Sequence, residues 1–442
     1  VGRYSCPVTF DSADAYISQV RRDIALPRGF RFFSTSLTFV PPERPASGEA
    51  RMNLAAIVSD PEDTVAVGVT TGNRFCGASV TLARRRLSEG RVRAILVNNK
   101  VANVASATGL RDAERLADAT ARLAGVGEED ALSVSTGVIG WSLPVTEMET
   151  ALPRLFANET DPVAVAQAIM TTDRYPKLAW NTSGEATCLG VAKGAGMIEP
   201  NLATMLGFVM CDAVVEPDVL ATVFRRVVDR SFNAISVDSD QSTSDMVVCM
   251  ANGASRQRVD EDELEALLEP VCLRLAREIV RNGEGTAHVI ELTVRGIPDS
   301  GLARKVGRHV VNSPLVKTAI HGNDPNVGRL LAATGDALDT WDPEGNVDGG
   351  ALRISIAGRG VYRDRAFHLD GDVEASLAAS LADAAMDPVS RGFPQDRGFV
   401  PVVLDFSYPP EASGGVGSPE TVTVYGSDLS YEYIRENADY RT

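Results

Sequence analysis

Histidine and lysine are scarce in this chain, with four of the one and five of the other in 442 residues. The G-x-S-x-G elbow, the H-E-x-x-H zinc motif and the G-x-x-x-x-G-K-[ST] phosphate loop are all missing, and no Cys–His spacing suits a metal. A hydrolase or transferase built on Ser-His-Asp therefore has little support, and a nucleophile here must find its base elsewhere. His288 lies in a strand-like run and reads as a packed side chain rather than a base. Basic blocks are missing too. With a formal net charge of −16 the chain offers no groove for nucleic-acid phosphates and no attraction to an anionic membrane. Cys6, Cys76, Cys188, Cys211, Cys249 and Cys272 are scattered without a CxxC and read as reduced thiols. No apolar run is long enough to span a bilayer, and VGRYSCPVTF lacks the pattern of a signal peptide, so the expected location is cytoplasmic.

What is present is ordinary globular material, 44% hydrophobic and 23% charged, in a chain long enough for a large core. Short β-branched runs at 64–69, 93–98, 288–294, 352–358, 400–406 and 421–426 read as strands. Helical spacing is clearer. LRDAERLADATARLAG repeats Ala113, Leu116, Ala117, Leu123 and Ala124 on one face and closes at Gly125. EPDVLATVFRRVVDR starts at Pro217 and pairs Val223/Phe224 with Val227/Val228. DEDELEALLEPVCLRLAREIVRNG opens on acids and ends at Asn282-Gly283. The segments 41–50 and 409–420 have loop composition. The class is α/β, with strand order left open.

One stretch, KGAGMIEPNLATMLGFVMCDA (193–213), sets a threonine behind an alanine in an apolar run approached through glycines. The plain reading is a threonine whose hydroxyl bonds a nearby carbonyl. The other reading is chemical. If the Ala203–Thr204 bond is cut, Thr204 gains an α-amino group with an ordinary pKa of about 8, so one residue supplies nucleophile and base. Its own hydroxyl would make the cut by an N-to-O acyl shift. Ala203 leaves the carbonyl accessible, while Gly194 and Gly196 permit tight turns beside it.

KGAGMIEPNLATML closely resembles the self-cleaving segment of the ornithine acetyltransferase family, also called glutamate N-acetyltransferases. STGVIG (135–140), AIMTTD (168–173), FNAISVDSDQSTSD (232–245), NGEGT (282–286), NSPLVKTAIHGNDPNVGR (312–329) and the terminal ENADYRT extend the resemblance in the family's order. It implies a layered α/β sandwich made of an α chain, residues 1–203, and a β chain, residues 204–442, usually paired into α2β2. It implies ping-pong transfer of acetyl from N-acetylornithine through Thr204 to glutamate, with no cofactor and no metal. Thr136 and Gly137 match the oxyanion-hole pair, while Thr171, Lys193, Glu284, Asn437 and Thr442 match substrate-contacting positions. Physically, a bound amino acid needs a cation for its carboxylate and an anion for a side-chain ammonium; Lys193 and Glu284 supply one of each.

The chain departs from the family at VNNKVANVAS (97–106), where Lys100 and Val101 intrude, and at DPNVGR, where Val327 replaces a usual tryptophan. Residues 1–28 have no counterpart and an unclear role. None of these changes touches Thr204, Thr136, Gly137, Lys193 or Glu284. An altered acyl donor or acceptor, as in a paralogue of specialised metabolism, fits that pattern. Two alternatives stay open: an amidohydrolase or aminopeptidase-like enzyme resolving the acyl-threonine with water, and a non-processing binding protein.

Overall fold

Near-continuous apolar runs such as Ala94–Asn98, Leu206–Cys211 and Met246–Ala251, buried at every position, make two five-stranded sheets apolar on both faces, and that dictates a layered sandwich. The computed structural model describes residues 10–199, 205–387, 392–407 and 421–439. Ala203, Thr204 and Thr442, with the loop expected at 409–420, lie outside the described residues.

The N-terminal sheet runs Ala131–Ser135, Ala94–Asn98, Ala50–Ser59, Phe30–Phe39, Glu159–Thr160, with only the first pair parallel. The central sheet runs Val65–Thr70, Met246–Ala251, Leu206–Cys211, Ala186–Lys193, Lys177–Ser183, with Met246–Ala251 parallel to Leu206–Cys211. Ile57, Ile95 and Val97 of the first sheet share a core with Phe208, Met210 and Val248 of the second, so the sheets lie face to face. Their outer faces are covered by helices. Leu54, Ala56 and Leu96 meet the helix Val145–Phe156 through Met148 and Leu152. Val209, Cys211, Val247 and Cys249 meet Pro217–Arg230 and Glu261–Arg281. The result is an α/β/β/α sandwich.

A third, seven-stranded sheet follows in sequence, in the order Ile235–Ser236, Thr421–Ser427, Val289–Arg295, Phe399–Asp405, Arg353–Ile356, Arg359–Arg363, Ala366–Phe367. Helix Ser300–Asn312 covers one face, Val327–Trp341 packs against that helix, and Val327 is buried among aliphatic neighbours. The apolar residue at this position fills a core site rather than a functional one.

The expected helices form where capping and periodicity agree. Glu261–Arg281 has a full capping box between Asp260 and Glu263, and its apolar face, Leu264, Leu267, Leu268, Val271, Leu275 and Ile279, is buried throughout. Gly125 ends Gly109–Ala124 at φ 75°, a left-handed value suited to glycine. Leu123 corrects the expectation for that helix: it is 43% exposed, because the last turn packs through Ala121 and Ala124 and leaves Leu123 off the buried face. The N-terminal segment is not idle. Ser12 caps a helix Ala13–Asp23 that buries Tyr16 and Val20, and Tyr16 Oη donates to Pro176 O at 2.9 Å. Among the described residues, no helix is long and apolar enough to cross a membrane.

Candidate active site

Two loops at one end of the N-terminal sheet are pinned to each other by side chains at the strand ends. Ser135 Oγ donates to Asn98 Oδ1 at 2.7 Å, Asn98 Nδ2 donates to Val101 O at 2.8 Å, and Thr136 N donates to Asn98 O at 3.0 Å. Val138 N then reaches Lys100 O at 2.9 Å. This draws residue 137 against the backbone of Lys100. A Cβ there would sit 2.3 Å from the Lys100 carbonyl carbon, and φ is +129°, so only glycine fits. Among the described residues neither the hydroxyl of Thr136, a residue 5% exposed, nor the Gly137 N–H has a hydrogen-bond partner. Two adjacent unpaired donors are what a developing oxyanion needs. Lys100 and Val101, the intruding residues of the sequence, supply the backbone that holds this turn.

The neighbouring loop connects that turn to the central sheet. Asn99 Nδ2 donates to Met170 O at 2.7 Å, and Thr171 Oγ1 accepts from Lys193 Nζ at 3.4 Å. Lys193 ends its strand opposite Leu206, and Met246 N donates to Met205 O at 2.9 Å. The central strand therefore begins two residues after Thr204 with Lys193 on one side and residues 245–246 on the other.

Beneath Lys193 lies a buried ionic network that the sequence reading did not single out. Asp173 accepts from Lys177 Nζ at 2.5 Å, from Gly194 N at 2.7 Å and from Thr171 N at 3.0 Å. Lys177 Nζ also donates to Asn282 Oδ1 at 2.7 Å. Burial pushes the Asp173 carboxyl up, but the charges of Lys177 and Lys193 and the Gly194 N–H outweigh it and hold it at about 2. Burial pulls Lys177 down against that same carboxylate. The ionised pair is the state supported by the geometry, since each charge faces the other and further hydrogen-bonding groups. Asp245 is the opposite case: burial holds its carboxyl well above the ordinary range, against the field of Lys193, and its Oδ2 has no partner.

The approach segment Gly194–Glu199 is clamped from several sides. Met197 N and Ile198 N both donate to Asp238 at 2.7 Å, and Glu284 N donates to Ala195 O at 2.8 Å. Gly194 has φ +154°, a backbone value that side-chain-bearing residues rarely adopt, and Gly196 is needed for space: a Cβ there would stand 2.4–2.6 Å from the Glu284 carboxylate. Glu284 in turn accepts from Asn437 Nδ2 at 2.9 Å. Asn437 lies on a helix, Tyr431–Asp439, rather than in a frayed tail, and that helix docks so closely that a Cβ on Gly285 would sit 2.2 Å from Tyr433 N. Thr171, Lys193, Glu284 and Asn437 thus surround the Gly194–Gly196 turn, with Thr136 and Gly137 on the adjoining loop.

His288 lies in a separate cluster. It is buried, with Nδ1 at 3.0 Å from Asp428 Oδ2 and Nε2 at 3.0 Å from Leu381 O. His288, His321 and Asp428 have the spacing of metal ligands, the only such group among the described residues, yet each imidazole contact to Asp428 is of hydrogen-bond length. Cys188, Cys211, Cys249 and Cys272 are buried, and burial raises all four thiols, which makes them inert packing.

The model of the ArgJ family matches residues 45–442. An arginine biosynthesis bifunctional protein ArgJ from Rhodococcoides fascians is 38% identical over 420 residues, 95% of each protein. The glutamate N-acetyltransferase Oat2 of Streptomyces clavuligerus is 38% identical over 398 residues, 89% of this chain and 94% of that one. Among solved structures, the Mycobacterium tuberculosis ornithine acetyltransferase complexed with ornithine is 31% identical, covering 40% of this chain and 94% of that chain with a TM-score of 0.33. The Bacillus halodurans ArgJ protein is 30% identical, covering 53% and 98% with a TM-score of 0.43. The chain belongs to the ArgJ family, the acetyltransferase enzymes of arginine biosynthesis.

Proposed function

We propose that this chain cuts itself at Ala203–Thr204 and then moves an acetyl group from N2-acetylornithine, or a close analogue, to glutamate or a related amine. The observation that carries the reading is the pairing of opposite charges around one turn. Lys193, with Thr171 beside it, suits an α-carboxylate, and Glu284, steadied by Asn437 and seated on Gly196, suits a side-chain ammonium. Thr442 is assigned to the same substrate site.

In the proposed cycle the freed α-amine of Thr204 takes the proton from its own hydroxyl. The oxygen adds to the acetyl carbonyl, and the oxyanion is met by the Thr136 hydroxyl and the Gly137 N–H. Collapse breaks the C–N bond; the departing nitrogen takes the proton from the Thr204 ammonium and ornithine leaves. The amine of glutamate then adds to the acetyl ester, gives its proton to the Thr204 amine, and the threonine oxygen leaves with that proton. The cycle closes without coenzyme A or a metal. The two chains, residues 1–203 and 204–442, stay paired, assemble as α2β2 and work in the cytoplasm. The test is transfer of isotope-labelled acetyl from N-acetylornithine: label on glutamate that is lost in Thr204→Ala supports the reading, and free acetate formed at the same rate without glutamate contradicts it.

A further inference from the structure

Asp428 gathers three parts of the chain that are distant in sequence. Its Oδ2 faces His288 Nδ1 and His321 Nδ1, each at 3.0 Å, and its Oδ1 accepts from Ala287 N at 2.9 Å. Asp428 N returns a bond to His288 O at 2.9 Å. Ala287 and His288 close the loop that carries Glu284. Asp428 opens the segment that carries Asn437, and His321 ends the helix Pro314–His321. Two residues on, Ser430 Oγ donates to Gly285 O at 2.6 Å and accepts from Tyr433 N at 3.0 Å, which fixes the first turn of the helix bearing Asn437. The Asp428 cluster and the Glu284–Asn437 contact are therefore two ends of one short clamp.

We propose that His321 and Asp428 are positioning residues for the ammonium-binding end of the active site: the His321–Asp428 bond seats the C-terminal helix on the Glu284 loop, and the charge of His321 sets how firmly it sits. This rests on the assignment of Glu284 and Asn437 to substrate. His321 is the partner open to solvent, with 29% of its side chain exposed, whereas Asp428 and His288 are buried. The groups that face it are Asp428, His288 behind that carboxylate, Lys317 one turn back on its own helix, and the Tyr431 ring at 6.3 Å. Lys317 Nζ is held by Val237 O, Ser427 O and Ser427 Oγ, so it does not compete for the Asp428 oxygen.

The hydrogen bond to Asp428 raises the His321 pKa, burial opposes it and the carboxylate charge adds to it. A raised imidazole pKa means that the charged bond is complete below the ordinary value of about 6.5 and weakens as pH rises through the raised value. Neutral His321 can still donate from Nδ1, so the clamp loosens rather than opens.

The test follows two readouts in the self-processed full chain between about pH 6 and pH 8.5: hydrogen-exchange protection of Tyr431–Asp439, corrected for intrinsic exchange, and the affinity for L-ornithine. Both fall by about fivefold across that range in the wild type, the ratio expected between a charge-assisted and a neutral hydrogen bond. His321→Asn keeps a donor near the Nδ1 position but cannot titrate, so the fivefold step due to His321 disappears from both profiles and leaves only the background of the Thr204 amine and of Lys317, which burial pulls down to about 8; this variant carries the test if His321→Ala does not fold. His321→Ala is weak in both readouts at every pH. A wild-type pH step persisting in His321→Asn, or wild-type protection in His321→Ala, overturns the proposal. Helix protection that follows His321 while ornithine binds no variant would leave the clamp standing and overturn the substrate assignment instead.

Discussion

At the scale of single residues, the site depends on groups whose own chemistry is silent. Asp173 touches no expected substrate atom, yet it holds Lys177, Gly194 and Thr171 together from full burial. Asp173→Asn leaves the Lys177 ammonium buried without its countercharge, an effect of about 3–5 kcal/mol for broken buried pairs, to be read by denaturant unfolding. The pH dependence has the matching sign. A carboxyl held at about 2 in the fold against 3.8 contributes stability above the unfolded value and loses it as pH falls toward the folded one, so acid unfolding steepens below about pH 4 in the wild type and not in Asp173→Asn. Gly196→Ala acts differently. Its Cβ meets the end of a flexible carboxylate, so Glu284 swings aside: KM for the acetyl donor rises by about tenfold while the unfolding midpoint barely moves. Thr136→Val removes one oxyanion donor and lowers kcat by about 10²–10³ with KM little changed.

At the scale of elements, the reading from sequence succeeds where local and tertiary signals agree. Glu261–Arg281 was legible because Asp260, Glu263 and a continuous apolar face all specify the same helix. The glycine at 137 was legible only as part of a motif; its steric reason, the Lys100 backbone, comes from the loop that follows the parallel neighbour strand Ala94–Asn98. The Asp173–Lys177–Asn282 network was not legible, since Lys177 and Asn282 stand 105 positions apart and no local pattern joins them. A signal did exist: Lys177, Lys193 and Lys317 are three of only five lysines, and all three prove to be bound into polar networks. The C-terminal helix shows the same limit, because tail composition hides a docking surface made by Gly285 and Ser430. Removing residues 431–442 leaves the sheets intact, so the unfolding midpoint should shift little while ornithine affinity drops.

At the scale of the whole molecule, the central sheet explains how a cut chain could stay assembled. Three of its strands, Val65–Thr70, Lys177–Ser183 and Ala186–Lys193, precede residue 203, and two, Leu206–Cys211 and Met246–Ala251, follow it. Leu206–Cys211 pairs with Ala186–Lys193 along six residue pairs, and Met246–Ala251 pairs with Val65–Thr70 along six more. Separating residues 1–203 from 204–442 would expose these edges and the shared core of Phe208, Met210, Ile95 and Val97. The two chains should therefore co-elute in native size exclusion and part only in denaturant. The central claim, a threonine exposed by self-cleavage that carries the acetyl group, is tested most directly by intact mass under denaturing conditions after incubation with N-acetylornithine. The account predicts two masses, those of residues 1–203 and 204–442, with the second heavier by one acetyl group until glutamate is added. A single uncut chain that stays uncut, or two chains of which neither gains the acetyl, would contradict it.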